Sequence, residues 1–266
     1  MRFADDFIEL IGDGPVSTVW LKRPAKRNAM TYAMWQGLID VCAVLAADRT
    51  CRVVVLRGAG DHFCAGADIN DLDAVRASDE PGFMDISGAA ERALSQLPQP
   101  TIAVLQGDCV GGGCSLAIDC DLRVAATSAR FAITPAKLGI AYPAESIERL
   151  TNLVGPAHAK QLLYTGQFVD ADHAHRIGLV NDVVDGRRMD QTILELAGTI
   201  AQRSSLTQQA AKEMIASVQA TGSVRPDLVT RWATIAATSD DPHEGLVAFR
   251  ERRQPQFGDA APDARQ

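Results

Sequence analysis

Two glycine-rich turns hold the residue types and spacing best suited to chemistry. The first reads Gly58-Ala-Gly-Asp-His-Phe-Cys-Ala-Gly-Ala67-Asp68-Ile69, the second Gly107-Asp-Cys-Val-Gly-Gly-Gly-Cys114. Each follows a short apolar run that reads as a buried strand. Glycine after a strand lets the backbone approach a ligand closely and turn its N–H groups outward. Two such turns side by side can present two N–H donors to one oxygen. An anionic oxygen there also meets the positive end of a helix beginning near Gly112. This is the chemistry of an oxyanion hole, in which one donor is worth about 10² to 10³ in rate. Tight turns alone would also account for the glycines. Neither turn is a dinucleotide fingerprint, since Phe63 stands where a third glycine belongs, and neither ends in Gly-Lys-Ser/Thr as a phosphate loop does. A nicotinamide or nucleoside-triphosphate enzyme is disfavoured.

The elements that must position these turns alternate between strand and helix. Val16 to Leu21 reads as a strand, and Thr31 can cap a helix whose stripe is Met34, Trp35, Leu38, Cys42 and Leu45. Val53 to Leu56 is a continuous apolar run of the kind buried on both faces of a sheet, ended by Gly58 and Gly60. Pro98 and Pro100 break a preceding helix, Ile102 to Leu105 makes the next strand, and Gly107 ends it. Glycines 111 to 113 open the apolar segment Cys114 to Ile118, and Leu122 to Ala125 gives a third strand. This alternation predicts an α/β core, and two similar units suggest a repeated ββα block. Beyond about residue 145 the pattern turns helical. Short helices are expected at Pro156 to Tyr164 and Ala171 to Ile177, stopped by Gly166 and Gly178. Ser205 is expected to cap a stripe of Leu206, Ala210, Met214 and Val218, and one further helix to cover Asp227 to Arg250. Residues 1–200 form the expected core, 201–257 a helical oligomerisation region, and 258–266 a flexible tail.

Composition narrows the function classes. The 266 residues are 47% hydrophobic and 22% charged, which excludes a wholly disordered chain or a collagen-like repeat. No apolar run reaches the roughly 20 residues needed to cross a bilayer. The N-terminal MRFADDFIEL is acidic where a signal peptide is basic, so a cytoplasmic protein with no membrane partner is expected. A net charge of −7 with dispersed basic residues argues against nucleic acid. Arg250, Arg252 and Arg253 read as a solvated helix end. Cys42, Cys51, Cys64, Cys109, Cys114 and Cys120 form no C-x-x-C pair and are expected as buried free thiols. His173 and His175 have no second ligand pair at metal-site spacing, so no metal is expected.

VVVLRGAGDHFCAGADI and QGDCVGGGCSLAIDCDLRVAA resemble, in order and spacing, the crotonase superfamily, also called the enoyl-CoA hydratase/isomerase family. The likeness runs from KRPAKRNAM through GLVNDVV to EGLVAFRERRQPQF, nearly the whole chain. The resemblance implies a crotonase-type α/β spiral of ββα units. It also implies a helical C-terminal region that trimerises, giving a homotrimer or homohexamer. The implied ligand is an acyl-CoA thioester, with coenzyme A part of the substrate and no separate cofactor. The family's oxyanion donors, which stabilise an enolate on the thioester oxygen, map onto the backbone N–H groups of Ala67 and Gly112. Coenzyme A is expected along Lys26, Ala65, Asp68 and Ile69, mostly through main-chain contacts, and Lys26 and Asp68 also read as plain turn residues.

The family's hydratases use two glutamates. Here the matching positions are Ser115 and Pro135. General acid–base groups are worth about 10² to 10⁴ each, so an efficient two-glutamate hydratase is a poor reading. Decarboxylation of a malonyl-type thioester needs the oxyanion hole and no strong base, because loss of CO2 itself makes the enolate. The segment TPAKLGIAY resembles that of methylmalonyl-CoA decarboxylase, which makes Tyr142 the candidate for orienting a carboxylate or supplying a proton. The departure is Ala67, where that decarboxylase has a histidine. Glu145 is a candidate isomerase base, or else a favourable charge at a helix start. His62 reads as a solvent-facing loop residue. Decarboxylase or isomerase chemistry is favoured. The alternatives are a weak hydratase using Ser115 or Tyr142 to order water, and a non-catalytic acyl-CoA-binding homologue.

Overall fold

Short apolar runs and longer amphipathic ones sort into two sheets and a wrapping of helices. The structure, a computed structural model, describes residues 1–12, 14–71 and 82–258. The large sheet has the order β1 (Arg2–Phe3), β2 (Ile8–Ile11), β3 (Val16–Leu21), β4 (Val53–Gly58), β5 (Thr101–Leu105), β7 (Leu122–Ala126), β10 (Asp182–Val184). It is antiparallel from β1 to β3 and parallel from there on. A smaller sheet joins β6 (Asp108–Val110), β8 (Arg130–Ala132) and β9 (Val169–Asp170). The helices that bear on function are α1 (Tyr32–Ala47), α2 (Phe83–Ser95), α3 (Gly112–Asp119), α4 (Pro135–Leu138) and α5 (Ala144–Thr165). They are followed by α6 (Ala171–Arg176), α7 (Met189–Ala201), α8 (Ser205–Thr221), α9 (Pro226–Thr238) and α10 (Asp241–Glu251).

Three successive units share one layout. Each sends a strand into the large sheet (β4, β5, β7) and then an extended segment into the small one. That segment is Cys64, bridged in parallel to Cys109, in the first unit, and β6 and β8 in the next two. Each unit then enters a helix: α2, α3 and, after the short α4, α5. The ββα repeat thus extends to a third copy.

The apolar strand runs are explained by the two faces they bury. Val54, Leu56, Ala103, Leu105 and Ala125 face the main core, shared with the α1 stripe and α2. Val53, Val55, Ile102, Val104 and Val124 face a second core capped by Met189, Ile193 and Ala197 of α7. Burying an aliphatic side chain of this size is worth about 1.5–3 kcal/mol, so neither face is dispensable. Thr31 caps α1 as its type predicts, its hydroxyl accepting from Met34 N–H at 3.2 Å.

Several expectations are corrected. The segment Asp227 to Arg250 is not one helix. It breaks between Thr238 and Asp241, because Pro242 is tolerated only in a helix's first turn and so opens α10 there. Ser204 rather than Ser205 caps α8, accepting from Thr207 N–H at 3.2 Å. The α8 stripe is buried at Leu206 and exposed at Val218. Helical structure before Pro156 starts at Ala144, with a break at Gly155 (φ 74°, ψ 162°). All six cysteines are free and buried. Among the described residues no helix is long and apolar enough to cross a membrane. The tail beyond Gly258 and residues 72–81 lie outside the described residues.

Candidate active site

The loop of residues 64–68 is pinned on both sides. Toward β6, Cys64 N–H donates to Asp108 O at 3.1 Å and Val110 N–H to Cys64 O at 2.9 Å. On the other side Met30 N–H donates to Gly66 O at 2.7 Å and Asp68 N–H to Met30 O at 2.8 Å. Because consecutive N–H groups of an extended chain point opposite ways, the Ala67 N–H turns away from Met30. Across from it lies the start of α3. A Cβ built on Gly112 would sit 3.7 Å from Ala67 N, and one on Gly113 would meet Cys64 O at 2.3 Å. Glycine is therefore obligatory at 113 if the helix is to approach this closely. Gly111 (φ 54°, ψ −117°) makes the turn into the helix in a backbone region that only glycine enters readily. Neither the Ala67 nor the Gly112 N–H donates to another described residue. Both residues line one cavity, so two unspent donors meet at the positive end of a helix.

Beside them is a cluster of hydroxyls. Tyr142 O–H donates to Gly111 O at 3.2 Å and lies 2.5 Å from Ser115 Oγ. Gly111 C=O and Gly112 N–H are the two ends of one peptide group, so this bond polarises the donor. Burial pushes the Tyr142 phenol well above its usual range, which keeps it protonated. Leu138, Ile140 and Ala141 supply an apolar wall.

The other expected site residues are divided by the structure. Ala65 and Ile69 line the cavity, and Ala65 N–H donates to Arg27 O at 2.9 Å. Asp68 points away into an ion pair with Arg23 at 2.6 Å. Burial raises its carboxyl, but Arg23 and the Asn70 N–H outweigh this and hold it below the usual range. It fastens two loops together. Lys26 is exposed at the end of a 3₁₀ turn. Glu145 is outside the cavity lining. It sits in the first turn of α5, 46% exposed, with Arg92 at 3.0 Å and Arg149 at 3.9 Å. His62 is tied in more firmly than a solvent-facing residue, its Nδ1 accepting from Asp108 N–H at 2.9 Å.

Sequence reasoning missed Glu91 on α2, the one carboxylate among the described residues that line the cavity. It is 2% exposed, and Ser146 Oγ donates to its Oε2 at 2.9 Å. Burial raises its carboxyl, while Ser146 and the Arg149 charge oppose the rise. Ile86, Ala90 and Leu94 form the buried stripe of α2, and a glutamate beside Ala90 on that apolar face was the available signal. Ser115 and Pro135, the two matching positions of the family's glutamates, also line the cavity.

Comparison with known proteins agrees with this architecture. Residues 13–260 match the Enoyl-CoA hydratase/isomerase family. The chain is 32% identical to the crotonyl-CoA hydratase of Syntrophomonas wolfei over 91% of its length and 94% of the relative's. It is 33% identical to the 2,3-dehydroadipyl-CoA hydratase of Escherichia coli, over 89% and 92% respectively. Among solved structures, an enoyl-CoA hydratase/carnithine racemase from Magnetospirillum magneticum superposes with a TM-score of 0.90 at 35% identity, covering 95% of this chain and 96% of that one. The helix-wrapped sheet, the repeated units and these likenesses agree, and the chain belongs to the enoyl-CoA hydratase/isomerase, or crotonase, family.

Proposed function

We propose that the protein is an acyl-CoA enzyme that works through a thioester enolate and forms it by decarboxylating a malonyl-type thioester. The observation that carries this reading is the cavity's composition: two unspent N–H donors from Ala67 and Gly112, with Ser115 and Pro135 where two glutamates would activate water. The thioester oxygen accepts from both donors, which take up the charge as the C–C bond breaks. The leaving carboxylate lies toward Tyr142 and against the apolar side chains of Leu138 and Ile140, which offer it no hydrogen-bond donor. Coenzyme A runs past Ala65 and Ile69 toward the exposed Lys26, and the acyl group is the buried end. No separate cofactor or metal takes part.

Double-bond isomerisation is the second reading, favoured by Glu91, since one carboxylate in the cavity is enough to carry a proton between two carbons. The test is mass spectrometry of short and long enoyl-CoAs, 3-enoyl isomers, methylmalonyl-CoA and ethylmalonyl-CoA after incubation with the protein. Loss of CO2 supports decarboxylation, and a retention shift at constant mass supports isomerisation. A gain of water, the activity in the hydratase relatives' names, would overturn both. Unchanged thioesters with intact coenzyme A binding would make the protein a non-catalytic acyl-CoA binder. We further propose that residues 201–257 assemble the chain as a homotrimer or homohexamer. Ile215, Val229, Leu246 and Phe249 are exposed there, Phe249 at 83%, and sedimentation at the monomer's mass in analytical ultracentrifugation would refute it.

A further inference from the structure

We propose that Glu91 is the far end of a hydroxyl relay that delivers the proton to the enolate carbon. The inference rests on the enolate reading above and assigns it a proton source. At rest Ser115 Oγ donates to Ser146 Oγ at 3.4 Å and Ser146 Oγ donates to Glu91 Oε2 at 2.9 Å, while Ser115 Oγ and Tyr142 Oη lie 2.5 Å apart, so delivery from a protonated Glu91 requires the serine hydroxyls to turn round. Three helices contribute: α2 holds Glu91, α3 holds Ser115, and α5 holds Ser146. All three links are side-chain hydroxyls, which donate and accept in either sense by rotating about a C–O bond. Tyr142 ends the chain at Gly111 O, on the peptide that supplies one enolate donor. The proton therefore arrives beside the place where the negative charge is held.

The step balances. Breaking the C–C bond leaves its electron pair in the enolate as CO2 departs. The enolate carbon takes the Tyr142 proton, Tyr142 takes that of Ser115, Ser115 that of Ser146, and Ser146 that of the Glu91 carboxyl. Water then reprotonates Glu91, so one proton is consumed for each CO2 released.

The surroundings suit a neutral acid. Asp119 on α3 is a buried second carboxylate near Glu91, and Glu145 on α5 adds a further negative charge. The nearby cations are already engaged, Arg149 with Asp119 and Arg92 with Glu145. A merely structural role would have Ser146 and Glu91 tie α2 to α5, which glutamine preserves as an acceptor.

Glu91→Gln and Ser146→Ala separate the two roles by two readouts. One is deuterium uptake at the α-carbon of butyryl-CoA in D2O. The other is the pH profile of kcat on methylmalonyl-CoA. In the wild type, kcat should fall as pH rises and Glu91 loses its proton. Both variants should lose about 10²-fold in uptake and in kcat, at unchanged KM, and that falling limb should flatten. Uptake kept within a few-fold in Glu91→Gln, or an unaltered limb, would overturn the relay, as would a wild type that takes up no deuterium. A wild type that takes up deuterium through Glu91 but releases no CO2 would overturn the decarboxylase reading and leave the relay standing.

Discussion

Gly112→Pro, set against Gly112→Ala, isolates one N–H donor. Gly112 is the first residue of α3, the helical position that tolerates proline best, and its N–H takes no part in the helix. Either substitution places a Cβ 3.3 Å from Trp35 Cζ2 and 3.5 Å from its Cη2, a tight contact with a ring that is 1% exposed. That shared crowding costs about 1–3 kcal/mol and should lower Tm similarly in the two variants. Only proline also removes the donor. One oxyanion donor is worth about 2.7–4 kcal/mol, which corresponds to about 2–3 units in the pKa of an enolisable thioester bound there. Acetoacetyl-CoA reports this directly, because its enolate absorbs in the near ultraviolet and its titration needs no knowledge of the natural acyl group. The alanine variant should keep the depressed enolisation pKa of the wild-type complex, and the proline variant should lose most of the depression. Equal titrations in folded alanine and proline variants would refute the assignment of Gly112 as a donor.

Other outcomes follow from the same geometry. Tyr142→Phe should slow turnover about 10²-fold, and Glu145→Gln, whose carboxylate faces Arg92 outside the cavity, should change it far less; steady-state rates in the reverse order would refute the part given to Tyr142 and make Glu145 a base. Ile102→Ala should cost about 2–5 kcal/mol in urea unfolding, because Ile102 is fully buried in the second core under α7. Burial raises the Asp108 carboxyl, but Arg130, His62 and Arg27 outweigh it and leave a lowered pKa. Its contribution is therefore complete above the unfolded value of about 4 and fades as pH falls toward and through the folded one. Asp108→Asn should cost about 1–3 kcal/mol at neutral pH and flatten the acid side of a Tm-against-pH curve.

The middle of the large sheet was legible because β4 and β5 are apolar on both faces, and the cap at Thr31 and the stops at Gly166 and Gly178 are local chemistry. The paired glycine turns were legible for the same reason: their backbone demands are written in residue type. What escaped was non-local. Glu91 finds its serine partner 55 residues away, and its place in the cavity exists only once α2 packs beside α5. The strands β1 and β2 are too short and too mixed to show a period, and β9 is a two-residue pairing made by the fold. Glu145 shows the opposite error, a residue close to the site in sequence whose charge is drawn outward by two arginines.

The anchoring of residues 64–68 to β6 and to Met30 has a thermal consequence. The separation of the two N–H groups is fixed by ladder spacing between adjoining backbones, not by a side chain free to choose among rotamers. Such a site cannot loosen by degrees ahead of the sheet. Heat inactivation should therefore coincide with cooperative unfolding, and the pair should melt when the scaffold melts.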